Sequence, residues 1–297
     1  MSEVLLVRTN NRSEGMNTIF SYFKKLFDSL QGKSVLIKPN FNTADPPPAS
    51  TDMSLLRTLI QMLKDCGAGK IIVGERSGPV DTEETMRVKG LFDLQTELGG
   101  FEIINFASLA DSDWVHFQPE QSHWKDGFLF AKPVLDADAV IALPCLKTHR
   151  FGGHFTLTLK LAVGMVPRQD HPYMRELHSS PHQRSLIAEI NQVYSPTLVI
   201  LDGIDAFVEG GPADGTLVHP HVMLASVDRI AIDAVGVAIL RDHGTTPEVS
   251  KGSIFEQEQI ARAVEINLGV KSPAEIKLRG ADAASEEYAS HLKTLLV

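Results

Sequence analysis

Four short apolar runs constrain the fold of this chain more than any other feature of its sequence. They are SVLIK at 34–38, KIIVG at 70–74, AVIAL at 139–143 and LVIL at 198–201. None alternates between apolar and polar residues, which is typical of strands buried on both faces of a largely parallel sheet. Amphipathic stretches of helical length lie between many of the runs. The pattern predicts a layered α/β fold with a central, largely parallel or mixed sheet flanked by helices.

Weaker patterns extend this prediction along the chain. Further strands are predicted at 4–7, 102–105, 128–130, 221–226 and 275–278. Helices are predicted at 15–30, 52–66, 156–165, 181–194, 228–240 and 252–267. We expect a single α/β domain over residues 1–297 with insertions, and a two-domain split near residue 110 is the alternative. The stretch that carries Trp114 and Trp124 has no helical period, so a lid or insertion is predicted near residues 107–128.

Composition narrows the class of protein. The chain has 28 Lys and Arg against 37 Asp and Glu, a formal charge of −9, and its basic residues are scattered, which argues against a nucleic-acid surface. No charge-free apolar run approaches the roughly 20 residues of a membrane span, and no signal-peptide pattern opens the sequence. We therefore expect a cytoplasmic protein with neither a nucleic-acid nor a membrane partner. With only Cys66 and Cys145, the chain cannot ligate a four-cysteine iron–sulfur cluster by itself.

Polar side chains follow each of the four strong strands. They are Lys38 and Asn40, Glu75, Lys147 with Thr148 and His149, and Asp202. Ligands of open parallel sheets bind beyond the carboxyl ends of the strands, so these side chains are candidates for one site, although each taken alone could simply mark the point where the chain meets water. The lysines could bind a carboxylate or phosphate, and Glu75 and Asp202 could hold a metal or carry protons.

Lys160 and a group of histidines add to the candidates. Lys160 lies in TLTLKLAVGMV, where apolar residues surround it, so it is either buried beside an anionic partner or extends from a partly exposed helix to solvent. Five histidines occur within 34 residues, namely His149, His154, His171, His178 and His182. Their spacing matches no compact metal motif. Glycine-rich dinucleotide loops, P-loops and serine-nucleophile elbows are absent from the sequence.

Taken together, these segments resemble the family catalogued as domain of unknown function 362. The resemblance rests on VLIKPN at 35–40, VGE at 73–75, ALPCLKTH at 142–149, TLTLKLAVG at 156–164, His178, LDGIDAFVEGGPADG at 201–215 and LASVDRIAIDAV at 224–235. The matches run in the family's order over about residues 33–240.

The resemblance implies an α/β domain whose polar motif residues surround one pocket. Many relatives carry ferredoxin-like cysteine motifs and look like redox proteins. This chain departs from them because it lacks such a motif, and Leu161 stands where the family commonly has Asn. A redox role would therefore require a separate protein partner to supply the cluster.

The leading hypothesis is an enzyme that acts on a small anionic metabolite. Lys38, Lys147 and Lys160 would bind the anion, and His149 and His178 would transfer protons. The candidate catalytic residues are Lys147, His149, Lys160 and His178. Asn40, Glu75, Thr148, Asp202 and Gly211 would complete the binding site, and His149, His178 and Asp202 are the candidate ligands of a possible divalent metal.

Two alternatives remain open on the sequence alone. The chain could be a noncatalytic accessory module that docks a ferredoxin-type or other protein partner, which predicts an exposed patch around Trp114 and Trp124. It could also store or sense a metal through its histidine-rich loop.

Overall fold

The computed structural model describes residues 1–168 and 171–296. The strands are β1 (Ser2–Arg8), β2 (Ser34–Lys38), β3 (Lys70–Glu75), β4 (Glu102–Asn105), β5 (Trp114–Phe117), β6 (Phe128–Ala131), β7 (Ala139–Ala142), β8 (Cys145–His149), β9 (His154–Thr156), β10 (Leu198–Gly210), β11 (Gly215–Val218), β12 (Val222–Ser226) and β13 (Ile276–Gly280). The α-helices are α1 (Arg12–Tyr22), α2 (Lys24–Asp28), α3 (Met53–Asp65), α4 (Thr82–Val88), α5 (Leu91–Leu98), α6 (Lys132–Asp136), α7 (Thr158–Leu161), α8 (Tyr173–Ser179), α9 (Gln183–Ile190), α10 (Arg229–Asp242), α11 (Pro247–Ser250), α12 (Glu258–Glu265) and α13 (Ala283–Lys293).

The main sheet is mixed but largely parallel, which confirms the predicted fold class. Its strand order is β13-β1-β12-β10-β7-β2-β3-β4, with β8, β9 and β11 attached through β10 and through each other. The five strands from β10 to β4 are mutually parallel, whereas β12 is antiparallel to both of its neighbours. The chain moves from β2 through β3 to β4 toward one edge, while β7 and β10 lie on the other side of β2. A crevice at the carboxyl end of β2 is the expected consequence.

Helices cover both faces of the sheet because side chains alternate between the faces along every strand. Leu36 belongs to the core on one face, and its neighbours Val35 and Ile37 belong to the core on the other. The first core is closed mainly by α9, α10, α12 and α13, and the second by α1, α3 and α5. Both layers exclude water from the sheet, which explains the uninterrupted apolar runs in the sequence.

The four strong strands and the helix predicted at 52–66 are confirmed. The runs at 34–38, 70–74, 139–143 and 198–201 all form strands of the main sheet. The Asp52 side chain accepts a hydrogen bond from the Ser54 N–H and begins α3, and Gly67 follows the end of this helix with φ +75°.

Two segments near the predicted site differ from expectation. Cys145–His149, which the sequence indicated as a loop, forms β8 and pairs with β9 and β10. The predicted strand at 198–201 continues to Gly210, because β8, β11 and β12 all supply hydrogen-bonding partners along it. Asp202 therefore lies within a strand instead of at its end.

The predicted lid or insertion near residues 107–128 is a docked segment that contains β5 and β6, which pair with each other. Trp124 is only 2% exposed and packs edge-on against Tyr173. The buried carboxylate of Glu189 accepts hydrogen bonds from Ser122 and from the backbone and ring of His123. These contacts fasten the segment to α9, and its residues are not among those that line the cavity described below.

Within the described residues, no helix is both long enough and apolar enough to cross a membrane.

Candidate functional site

A cavity of about 910 Å³ opens at the carboxyl ends of β2 and β3. Residues of β8, α7, α8 and the start of α9, with those of the loops at 150–152 and 212–213, line most of the rest of it. Seven residues predicted from the sequence line the cavity, namely Lys38, Asn40, Glu75, Lys147, His149, Lys160 and His178. The expectation that strand ends gather polar side chains at one edge therefore holds for three of the four strands.

Lys38 and Glu75 form a buried ion pair on adjacent strands. The Lys38 Nζ donates to Glu75 Oε1 and, at 2.7 Å, to the Pro39 carbonyl. The Glu75 carboxylate also accepts the backbone N–H groups of Phe41 and Arg76, at 2.7 and 2.8 Å. Burial lowers the pKa of Lys38, and the charge of Glu75 opposes that shift in part. The Glu75 carboxylate is thus fully engaged by protein donors and forms a fixed part of the cavity wall.

Arg76 adds a buried cation that sequence reasoning did not select. Its guanidinium donates to the carbonyls of Val166, at 3.0 Å, and of Ser77 and Val163. Burial lowers its pKa to about 10. The signal was present in the sequence, because Arg76 directly follows Glu75 at the end of β3.

Lys147 lies fully buried on β8. Its ammonium donates to the carbonyls of Pro48 and Ala49, at 2.9 and 2.6 Å. Burial lowers the pKa of Lys147 to about 8. Two of the three N–H donors of its ammonium bind the loop after β2. Lys147 therefore stabilises this loop in addition to any contact that it makes with a ligand. Asn40 joins it there, since the Asn40 side-chain amide also donates to the Ala49 carbonyl, at 3.2 Å.

Lys160, on α7, differs from the other two cavity lysines. It is half-buried, and no described residue accepts a hydrogen bond from its Nζ or forms an ion pair with it. Burial, followed by the charges of Arg76 and Lys147, lowers the pKa of Lys160 to about 8. The sequence-based expectation of a buried lysine beside an anionic protein partner is thus not met among the described residues.

His149 and His178 lie close to Lys160. A Cβ built on Gly153 would be 2.9 Å from Lys160 Cε and 3.2 Å from His149 Nδ1, so these two side chains converge on one point. Burial, followed by the charge of Lys160, lowers the pKa values of both His149 and His178, and that of His149 falls well below its ordinary value. The buried His149 Nδ1 has no hydrogen-bond partner among the described residues. Both imidazoles are therefore neutral at pH 7 and available for proton transfer.

Thr148 and Gly211 do not line the cavity but pack beside it. The Thr148 hydroxyl donates to the Phe207 carbonyl at 3.2 Å. Gly211 has φ +69°, and a Cβ on it would lie 2.0 Å from the Thr148 carbonyl oxygen. Both residues therefore contribute to packing beside the cavity. The adjacent Pro212 and Ala213 line the cavity instead.

Asp202 belongs to a separate cluster. Its carboxylate accepts a hydrogen bond from Arg12 Nε at 2.6 Å, and Arg12 also donates to Asp205 at 2.8 Å. Asp202 is absent from the cavity wall because β10 continues past it for eight more residues. The proposed meeting of Asp202 with Lys147 and His149 at one site is therefore corrected.

The residues at the cavity offer little for a metal ion. Among the residues that the structure describes, no three His, Cys, Asp or Glu side chains lie close enough together to hold one. Glu75, the carboxylate in the cavity wall, is already bound to Lys38. Cys145 is buried on β8, where burial raises the pKa of its thiol, and Cys66 caps α3. We derive no chemical step through a metal.

Several other cavity residues were not predicted from the sequence. They are Asn42, Thr43, Arg76, Gly78, Pro79, Arg150, Phe151, Gly152, Thr156, Leu161, Val163, Gly164, Arg168, Met174, Gln183, Pro212 and Ala213. Apart from Arg76 and the residues within the segments 156–164 and 201–215, most lie in loops or on short helices whose position depends on distant parts of the chain.

Comparison with known proteins shows a similarity in sequence to one protein and a similarity in structure to another. The thylakoid-associated protein sll1697 of Synechocystis sp. is 27% identical over 258 residues, which cover 82% of this chain and 74% of that protein. The lactate racemase apoprotein from Thermoanaerobacterium thermosaccharolyticum is a structural match with a TM-score of 0.48 and 15% identity, over 77% of this chain. The chain spans 55% of the length of that racemase.

The family comparison covers most of the main sheet and the predicted residues of the cavity. The family described as domain of unknown function 362 (DUF362) matches residues 35–238. This span agrees with the resemblance seen over about residues 33–240, and it contains β2 to β10 and all seven predicted residues that line the cavity. Because more than half of the chain lies within the match, the protein belongs to the DUF362 family.

Proposed function

We propose that this protein is an enzyme that binds a small carboxylate or phosphate metabolite in the cavity and moves a proton on it. The observation that carries the proposal is Lys160, whose ammonium has no partner among the described residues although it sits in a confined, largely apolar setting. A cation in such a place is costly unless an anion joins it. A bound anion would supply the missing partner.

The charges of the cavity wall support the same ligand class. Among the described lining residues, the cations are Lys38, Arg76, Lys147, Arg150, Lys160 and Arg168, and Glu75 is the carboxylate. Lys38 pairs with Glu75 and Arg150 pairs with Asp214, so the positive field comes from Arg76, Lys147, Lys160 and Arg168. The net charge of −9 does not oppose this ligand, since the local field in a cavity governs binding at short range.

The two histidines and the two lysines with pKa values of about 8 provide the proton chemistry. In the proposal, Lys160 pairs with the anion, and neutral His149 accepts or returns a proton through Nδ1. His178 stands next in the same cluster, where Gln183 Nε2 lies 3.3 Å from its Nδ1. Lys147, whose pKa burial lowers to about 8, is the second candidate for proton transfer.

Anion binding to matched lysine variants tests the proposal. Calorimetric titration of wild type with phosphate and with simple carboxylates should give measurable binding, and Lys160→Met should weaken it by at least about tenfold, the loss of one charge-assisted contact. Lys64→Met is the control, because Lys64 is also partly buried and its Nζ donates to the Leu98 carbonyl outside the cavity. Equal affinities of wild type and Lys160→Met would overturn the proposal.

Lys147→Ala provides a second arm of the same experiment. We expect weaker anion binding and loss of activity on any substrate identified, together with lower stability because the carbonyls of Pro48 and Ala49 lose their donor. If ligand binding and activity were both unchanged in Lys147→Ala, its assignment to the site would be wrong.

The accessory-module alternative loses the surface on which it was based. That hypothesis predicted an exposed patch around Trp114 and Trp124. Trp124 is buried, and Trp114 is partly buried against the same core. The cavity, lined by six cationic side chains among the described residues, favours the enzyme.

A further inference from the structure

The cavity is much larger than a simple anion requires. Its 910 Å³ lies at the upper end of the range for sites that enclose drug-sized ligands. An acetate or phosphate ion paired with Lys160 would leave most of this space empty. The remaining volume therefore carries information about the rest of the substrate.

Apolar groups line much of that remaining space. The wall includes Pro79, Phe151, Leu161, Val163, Met174 and Pro212. From this division of the wall we infer that the substrate is an amphipathic anion, a carboxylate or phosphate carried on an aromatic or branched hydrocarbon body. The inference rests on the proposed function and adds to it the chemical class of the substrate.

Phe151 is the clearest apolar contact for such a body. It is 57% exposed, unusual for a large aromatic side chain, although its backbone carbonyl is fixed by a 3.0 Å hydrogen bond from Gln183 Nε2. Its ring lies edge-on to His149 with a centroid distance of 5.8 Å. The apolar surface thus adjoins the anion-binding side chains directly, and a substrate with its charge near Lys160 would bring its body onto Phe151.

Two further groups give the apolar region a defined shape. Met174 lies with its sulfur 3.8 Å from Arg76 Nη2, and its unbranched thioether can adapt to a ligand surface. Arg168 donates to the carbonyls of Pro79 and Val80, at 3.0 and 3.2 Å, which holds Pro79 in the wall. An amphipathic ligand would remove its hydrocarbon surface from water by packing it against these groups.

A matched ligand series tests this substrate class on the full-length protein. The probes for calorimetry are acetate, phosphate, pyrophosphate, phenyl phosphate, 4-phenylbutyrate and the neutral 4-phenylbutanol. We expect 4-phenylbutyrate to bind at least about tenfold more tightly than acetate. Burying one ring and its linker contributes more free energy than a tenfold change in affinity requires. Phenyl phosphate should likewise bind more tightly than inorganic phosphate, and 4-phenylbutanol should bind weakly because it lacks the charge.

Two variants test whether the gain in affinity for 4-phenylbutyrate comes from the apolar part of the cavity wall. Phe151→Ala should reduce the preference for 4-phenylbutyrate over acetate to about threefold or less. Val88→Ala removes another exposed apolar side chain, 63% exposed and outside the cavity, and should keep the full preference.

The possible outcomes separate this inference from the proposed function. Equal binding of acetate and 4-phenylbutyrate, both dependent on Lys160, would overturn the amphipathic substrate and leave anion binding intact. Tighter binding of pyrophosphate than of 4-phenylbutyrate would also overturn it, because the cavity would then be filled by charge. If none of the anions bound to wild type, the proposed function itself would fail.

Discussion

At the scale of single residues, Gly211 shows how backbone packing beside the cavity limits what the sequence can vary. Its φ of +69° is disfavoured for other residues, and any Cβ would overlap the Thr148 carbonyl oxygen, 2.0 Å away. We predict that Gly211→Ala lowers the free energy of unfolding by at least about 3 kcal/mol, because strain and overlap add. Urea denaturation measures the change.

Gly32 is the control that separates the cost of a positive φ from the cost of steric overlap. It has φ +74°, but a Cβ there would meet no atom within 4 Å. Gly32→Ala should therefore cost only about 1 kcal/mol, the conformational part alone. Similar losses for the two variants would contradict a role for the contact with Thr148.

The sequence identified Lys160 because a lysine in apolar surroundings needs an explanation, and His149 because it follows a buried strand. It could not reveal that Lys147 donates to carbonyls 98 and 99 residues earlier in the chain. It also could not show that Glu75 is saturated by Lys38, Phe41 and Arg76. Local patterns indicate which residue types approach a site, whereas partners set by the fold decide what each one does.

At the scale of elements, α10 supports the short helix that carries Lys160. The buried carboxylate of Asp233 accepts the backbone N–H groups of Thr158 and Leu159, at 2.8 and 3.0 Å, and so caps α7 from another helix. Asp233 is a positioning residue for Lys160. We predict that Asp233→Asn lowers the free energy of unfolding by about 1–3 kcal/mol, because one of the two N–H groups loses its acceptor, and weakens phosphate binding.

Asp228→Asn is the matched control. Asp228 caps α10 itself through the N–H groups of Ile230 and Ala231, and none of its hydrogen bonds among the described residues reaches α7. This variant should lose stability while its affinity for phosphate stays at the wild-type value. If Asp233→Asn also kept wild-type affinity in calorimetry, the positioning role would be refuted.

The strand predictions succeeded where burial on both faces leaves a continuous apolar run, as in β2, β3 and β7. They failed for β8, because CLKTH is half polar and becomes a strand only through pairing with β9 and β10. The same pairing extends β10 and removes Asp202 from the cavity. Tertiary hydrogen bonding outweighed local composition at both places.

At the scale of the whole molecule, an acidic chain encloses a cationic cavity, and this arrangement lowers stability. Burial lowers the pKa of Lys160 from 10.5 to about 8, so its charged form is unfavourable in the folded state. A difference of this size corresponds to about 3 kcal/mol. Residues that destabilise a fold in this way are typical of functional sites.

The stability of Lys160→Met should therefore depend on pH in a defined direction. Below pH 8 the lysine is charged in both the folded and the unfolded state, and removing it should raise the free energy of unfolding by up to about 3 kcal/mol. Between pH 8 and 10.5 the unfolded state binds more protons than the folded state, so wild type gains stability as the pH rises. The advantage of the variant should shrink across this window and nearly vanish above it.

Urea denaturation of both proteins at pH 7 and at intervals up to pH 10.5 measures this difference, in which the titration of groups distant from Lys160 cancels. Lys64→Met should show no such convergence, because its lysine lies outside the cavity. A variant that gains stability at pH 7 while losing anion binding would identify Lys160 as a residue retained for its ligand. A loss of stability in Lys160→Met at pH 7 would mean that the ammonium already has a stabilising partner within the protein, and the proposed anion site would lose its main support.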